Sequence, residues 1–133
     1  MTHDVFISYS IRDKDIAYDI TVNLEKKGIR CWIAPRDILP GKNWGESIIG
    51  ALYESKALVL ILSSNSNKSP QIVRELEKSV DASVPIILFR VEDILPPDSI
   101  LYFIGNVYWL DALTSPLEEH IINLIKLLNN ILE

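Results

Sequence analysis

Glu75 is the residue of this sequence best placed to do chemistry. Between Pro70 and Asp81 the apolar residues Ile72, Val73, Leu76 and Val80 recur at helical spacing. At ~100° per residue, Glu75 falls at the edge of that stripe, with Gln71 one turn before it, while Glu77 points elsewhere. A carboxylate half-buried at such a boundary is partly desolvated and can act on positive charge developing in a ligand. The position equally suits an ordinary boundary glutamate paired with a lysine, and residue type alone does not separate the two. A second group lies between Ala34 and Asn43, a stretch with two prolines and a glycine that cannot be regular structure. Arg36 there can meet a phosphate bidentately or form a surface ion pair with Asp37. Trp44, just beyond, can stack on a heteroaromatic ring or anchor a helix to the core.

Other chemistries are excluded by residue type. Gly41-Lys42 is followed by Asn43, and Arg36 stands where a phosphate-cradling loop needs its first glycine,. No Gly-x-Gly-x-x-Gly follows the first strand, so a dinucleotide-binding crossover has no support,. Serines occupy the places where a response-regulator receiver carries its acidic cluster and phosphoacceptor aspartate. His3 and His120 are far apart, at a terminus and on the last helix, positions where histidines are usually solvated, and neither belongs to a metal-ligand pattern,. A net charge of -5 has the wrong sign for neutralising phosphate backbones and argues against nucleic acid as the primary partner. The only cysteine, Cys31, cannot form an intrachain disulfide, and Met1-Thr2-His3-Asp4 lacks the start of a secretory signal,. A reducing cytoplasm is expected. The apolar run Ala57 to Leu62 is far short of the roughly 18–20 residues that span a bilayer,, so no membrane crossing is expected.

The elements that must position these residues follow from periodicity. Val5-Phe6-Ile7 reads as a strand ending at Ser8-Tyr9-Ser10; Ile16, Ala17, Ile20 and Leu24 mark a helix closed by Gly28,. Ile29 to Ile33 is a second strand. Trp44 to Ser55 is a helix with Asn43 as N-cap and Glu46 completing a capping box,. Ala57 to Leu62 is continuously apolar, as in a strand covered on both faces,. Ser69-Pro70 caps and opens the helix bearing Glu75,. Pro85 to Phe89 is another buried strand, Val91 to Asn106 is irregular, and Val107 to Leu110 is a fifth strand. A capping box at Ser115-Pro116-Leu117-Glu118 opens a last helix facing inward through Leu117, Ile121, Leu124, Ile125 and Leu128,. Strands alternating with helices predict an α/β fold, a flavodoxin-like five-stranded parallel sheet with helices on both faces. Ligands of such sheets gather beyond the carboxyl ends of the strands, which here are Ser8-Tyr9-Ser10, the Ala34–Asn43 loop, Ser63-Ser64 and Arg90. At 133 residues one domain is expected, standing alone or as the N-terminal domain of a longer protein.

Taken together, Asp4 to Ser10, then Gly28-Ile29-Arg30-Cys31-Trp32-Ile33-Ala34-Pro35-Arg36-Asp37-Ile38 with Pro40-Gly41 and Trp44, then Trp109-Leu110, resemble the boxes of bacterial TIR domains. The resemblance covers essentially the whole chain and implies the strand and helix order given above, with Ala34–Asn43 as the loop that makes subunit contacts. Members of the family either cleave NAD or only assemble. In the first kind a glutamate on the helix after the central strand is catalytic, usually four residues after an aromatic. Glu75 matches that position, and Gln71 stands in place of the aromatic. The resemblance also places Tyr9 and Ser10 beside substrate and puts Asn43 or Trp44 opposite a bound base, with Arg36 as a further binding residue. It implies NAD as substrate, no separate cofactor, no metal, activation by self-association, and a role in bacterial signalling or antiphage defence. A non-catalytic interaction module is the alternative. A nucleoside deoxyribosyltransferase-like enzyme on a related fold is a third reading, which would make the loop motif coincidental.

Overall fold

The computed structural model describes residues 3–104 and 107–133. Met1 and Thr2, and the Gly105-Asn106 end of the stretch expected to be irregular, lie outside the described residues. Five parallel strands, β1 (Val5–Ser8), β2 (Cys31–Trp32), β3 (Ala57–Leu62), β4 (Ile86–Arg90) and β5 (Tyr108–Asp111), form one sheet in the order β2-β1-β3-β4-β5. The helices are α1 (Lys14–Lys26), α2 (Trp44–Glu54), α3 (Pro70–Asp81), α4 (Asp98–Leu101) and α5 (Leu117–Leu132).

Strand parity divides the interior. Val5 and Ile7 of β1, with Val59 and Ile61 of β3, face Ala17, Ile20 and Leu24 of α1 and Ile121, Leu124 and Leu128 of α5. Phe6 of β1, with Leu58, Leu60 and Leu62, faces Ile48 and Leu52 of α2 and Ile72 and Leu76 of α3. All six residues of β3 are buried, as a strand covered on both faces requires. Successive residues alternate faces, so Ser8, two beyond Phe6, is turned to the α2–α3 side. The strand order reverses between β1 and β3, and there the register pairs Ser8 with Leu60.

Several boundaries differ from expectation for identifiable reasons. The second strand was expected over Ile29–Ile33 but pairs only at Cys31–Trp32. The Arg30 carbonyl accepts from both Asp4 N–H and Val5 N–H, and Ile33 N–H donates to the Asp37 carboxylate at 2.9 Å, which stops the ladder. The stretch after Val91 contains α4, whose Ile100 is buried on the α2–α3 face of the sheet. Asn43 caps α2, its Oδ1 accepting from Glu46 N–H at 3.0 Å. Ser69 caps α3, accepting from Ile72 N–H at 3.3 Å. Ser115 does not cap α5: Pro116 holds the N-cap place in extended conformation and no side chain accepts there. Gly28 ends α1 at φ 81°, in the left-handed region that glycine enters without cost.

His3 is buried rather than solvated. Its Nε2 lies 2.8 Å from both the Ala51 carbonyl and Ser55 Oγ, tying the residues before β1 to the end of α2. Asp4 is buried beside it and accepts from Arg30 N–H at 2.9 Å and from the Arg30 guanidinium. Burial pushes the Asp4 carboxyl up, but the Arg30 bonds and nearby Lys56 outweigh this and hold it below the ordinary value. Asp4→Asn is expected to cost about 1–2 kcal/mol near neutral pH. A lowered native pKa means that Asp4's contribution is complete above the unfolded value of about 3.9 and is lost as pH falls through the lower native value. Denaturant titrations should therefore show the gap between wild type and Asp4→Asn closing below about pH 3.9.

Candidate functional site

Glu75 is buried more deeply than the apolar stripe suggested, with 7% of its surface exposed. The buried face of α3 is Ile72, Glu75, Leu76 and Ser79, whereas Val80 is 48% exposed. Val80 lies just off that face because two polar residues, Glu75 and Ser79, share the interior with Ile72 and Leu76. Ser79 Oγ donates back to the Glu75 carbonyl at 2.9 Å, which satisfies its hydroxyl inside the helix.

The Glu75 carboxylate has one donor on each oxygen. Ser8 Oγ, at the end of β1, donates to Oε1 at 2.7 Å, and Gln71 Nε2 donates to Oε2 at 3.0 Å from one turn earlier. Burial drives its pKa above the ordinary carboxylate value, while the Ser8 and Gln71 bonds and the Arg74 charge act in the opposite direction. A desolvated anion held by neutral donors retains its capacity to stabilise a cation brought alongside it.

Glu75 opens into a cleft of about 460 Å³ between α2 and α3. Trp44, Ile48, Ile49 and Leu52 supply the α2 wall, and Gln71, Arg74, Glu75 and Lys78 the α3 wall. Glu77 also reaches this cleft, at its exposed rim, although its helical angle predicted a position outside it. A second hollow of about 210 Å³, lined by Tyr9, Ile11, Ala34, Pro35, Trp44 and Gln71, shares Trp44 and Gln71 with the first. Trp44 is 57% exposed, so it does not anchor α2 to the core, and its ring is open to a ligand in either space. Trp44→Ala is expected to leave thermal stability nearly unchanged, within about 0.5 kcal/mol, as a melting curve will show.

The structure thus brings Tyr9, Trp44 and Gln71 together with Glu75. The half-buried Tyr9 donates its hydroxyl to the Ala34 carbonyl, tying the end of β1 to the start of the loop. Burial, with contributions from Tyr18 and Glu75, pushes its phenol up to about 12, so it stays a donor at neutral pH. Ser10 caps the 3₁₀ turn Ile11–Asp13, its Oγ accepting from Arg12 N–H at 3.4 Å, and lines neither space. Asn43 is occupied as the α2 cap and also lines neither. Arg36 is turned away: its guanidinium pairs with both Glu25 oxygens at 2.9 Å, with Asp37 at 2.8 Å, and donates to the Cys31 carbonyl at 3.1 Å. Those carboxylates hold it well above its ordinary pKa, and they occupy its fork in that arrangement. The sequence reading missed Ser8; the signal was a serine at the carboxyl end of a buried strand, with the same parity as Phe6. Among the described residues no cluster of histidine, cysteine and acidic side chains is placed to hold a metal, and no helix is long and apolar enough to cross a membrane.

A five-stranded parallel sheet in this order, with helices on both faces, is the arrangement expected of a TIR domain. The TIR domain family profile matches residues 5–125, and the chain belongs to that family. A stimulator of interferon genes protein from Magallana gigas is 32% identical over 107 residues, which cover 71% of this chain and 26% of that protein; the chain spans about a quarter of that relative's length. The crystal structure of the TIR domain of the Toll-related receptor TRR-2 from Hydra magnipapillata superimposes with a TM-score of 0.79 at 24% identity, covering 98% of each chain. The TIR domains of the activated Roq1 resistosome superimpose with a TM-score of 0.74 at 18% identity, covering 94% of this chain and 98% of that one. These two likenesses concern the fold.

Proposed function

We infer that this TIR domain cleaves NAD at the bond between nicotinamide and ribose, with Glu75 as the catalytic residue. The observation that carries the reading is the desolvated Glu75 carboxylate, held by Ser8 and Gln71 at the edge of a cleft that Trp44 lines. The nicotinamide of NAD is a cationic pyridinium. When the C1′–N bond breaks, its electron pair stays with nitrogen and nicotinamide leaves neutral, so no general acid is required. The ribosyl centre becomes oxocarbenium-like, as in glycoside cleavage, and a carboxylate beside it stabilises that charge. Water then forms the new bond at C1′ and gives its proton to solvent, yielding ADP-ribose; capture by an atom of the substrate's own adenine yields a cyclic product. Trp44 borders the space beside Glu75 and Tyr9 the adjoining hollow, and both are the proposed contacts to nicotinamide and ribose.

The second reading, a TIR module that only assembles, has its own observation in Gln71, which stands in place of the usual aromatic. In this structure Gln71 donates to Glu75, so the replacement supplies the carboxylate with a hydrogen bond in exchange for a stacking surface. Free nicotinamide, detected by chromatography after incubation with NAD under crowding, separates the readings: its release supports cleavage, and its absence from folded, self-associated protein favours the module.

Self-association through residues 34–43 is part of the proposal, as is a signalling role. Leu39, Pro40 and Gly41 are exposed, a surface made for contact, and the similar TIR domains of the Roq1 resistosome belong to an activated assembly. The affinity to bacterial members rests on the motifs alone, since the curated relative is from an oyster. Pro40→Ala should leave the melting temperature nearly unchanged yet reduce activity most at low protein concentration, with recovery as concentration rises. Gly41→Val adds strain, because Gly41 sits at φ 79°, where a β-branched residue is disfavoured. Activity per mole reduced by one factor at every concentration, with unchanged sedimentation, would place the loop's action within a single chain.

A further inference from the structure

The cleft contains two charges that the proposed cleavage does not use. Arg74 and Lys78 stand at i and i+4 on α3 and both line the space beside Glu75. Arg30, Arg36 and Arg90 are each paired with carboxylates, whereas no ion pair among the described residues engages Arg74 or Lys78. Two like charges at this spacing repel one another. They are retained in the wall of an otherwise largely apolar cleft, in a chain of net charge -5. Neither neighbouring acid forms an ion pair with them: Glu75 is bonded to Ser8 and Gln71 and feels Arg74 only through its charge, and Glu77 forms no ion pair among the described residues.

We propose that Arg74 and Lys78 bind the diphosphate of the dinucleotide and thereby seat the ribose C1′ against Glu75. This rests on the reading of the cleft as a site of NAD cleavage. Lys78 stands three residues, about 4.5 Å along the helix axis, beyond Glu75, within the reach from C1′ of a ribose to its own 5′-phosphate, so a phosphate set against Lys78 leaves C1′ close to the level of Glu75. A guanidinium forks onto two phosphate oxygens and an ammonium contributes a point charge. The pair also offsets the repulsion that a dianionic diphosphate meets on approaching the Glu75 carboxylate. The site accordingly selects nucleotides over nucleosides, and the selection comes from α3 itself and not from Arg36.

The test compares NAD with nicotinamide riboside, which has the same scissile bond and no phosphate. In the double variant Arg74→Gln/Lys78→Gln, the ratio of kcat/KM for NAD to that for the riboside should fall about 10- to 100-fold, mostly through KM for NAD. Arg74→Lys in an otherwise wild-type chain should restore part of that ratio. Equal losses on both substrates would overturn the proposal, since they would mean that the charges act only through Glu75. If wild type releases nicotinamide from neither substrate, the cleavage reading fails, and calorimetry with ADP-ribose decides this inference by itself. Binding weakened about 10-fold or more by the double variant supports it, and equal binding or none overturns it.

Discussion

Glu75→Gln is expected to abolish NAD cleavage while leaving the protein folded and at least as stable as wild type. The amide keeps the shape of the side chain and can still meet Ser8 and Gln71, but it carries no charge to set against an oxocarbenium-like ribose. Loss of one well-placed electrostatic group costs about 10²–10³-fold in turnover, and among the described residues lining the cleft Glu75 is the carboxylate hydrogen-bonded into its wall, Glu77 standing at the exposed rim. Stability moves the other way. Glu75 has a raised native pKa, so between the unfolded value and the native one the folded chain binds more protons, and stability falls as pH rises. Above the raised native pKa wild type bears the full cost of that buried charge, and Glu75→Gln removes it; the variant's advantage should vanish as pH drops below the native pKa and Glu75 protonates,. Glu77→Gln serves as the control, because an exposed rim charge is screened by solvent, and turnover should change little. Comparable losses in both variants would point to a general effect of charge in place of a specific carboxylate.

Ser8→Ala carries the second large expectation. Its hydroxyl is buried and donates to Glu75 Oε1 at 2.7 Å, fixing the carboxylate at the point where the strand order reverses. Without it, one oxygen of a buried anion lacks its donor and the rotamer loses its anchor. Turnover should fall by roughly 10-fold or more. The Ser8 bond lowers the Glu75 pKa against the pull of burial, so its removal raises that pKa further. The acid limb of the pH–rate profile should therefore move to higher pH. A variant that loses turnover with an unmoved acid limb would show that Ser8 serves packing alone. Ser8→Thr, which retains a hydroxyl, should restore the limb towards its wild-type position.

The sheet was legible because β3 and β4 are continuous apolar runs and the intervening helices carry recognisable caps at Asn43 and Ser69. What escaped the reading involves polar groups used inside the fold. An apolar stripe through Val73 and Val80 misplaces the buried face of α3, since Glu75 and Ser79 occupy that face and are satisfied there by local hydrogen bonds. His3 looked terminal, and only the packing of the chain start against the end of α2 buries it. Residue type left Arg36 open between a phosphate ligand and an ion pair with Asp37; the ion pair forms, and Glu25, eleven positions earlier in the sequence, takes the rest of its fork, a pairing that no local pattern announces. The α4 helix was hidden behind Pro96-Pro97, although Pro97 serves as its N-cap residue. Ser8, Arg74 and Lys78 acquire meaning only once β1 and α3 are set side by side.

The central claim is that this chain breaks the nicotinamide–ribose bond with Glu75, and the most direct measurement is a proton NMR time course of NAD with the protein at rising concentration. Wild type should convert the pyridinium resonances to those of free nicotinamide, with ADP-ribose or a cyclic product appearing in equal amount. The rate per mole should increase with protein concentration, and Glu75→Gln should leave NAD intact. Unchanged NAD in the presence of folded, self-associated wild-type protein, or wild-type rates from Glu75→Gln, would contradict the account.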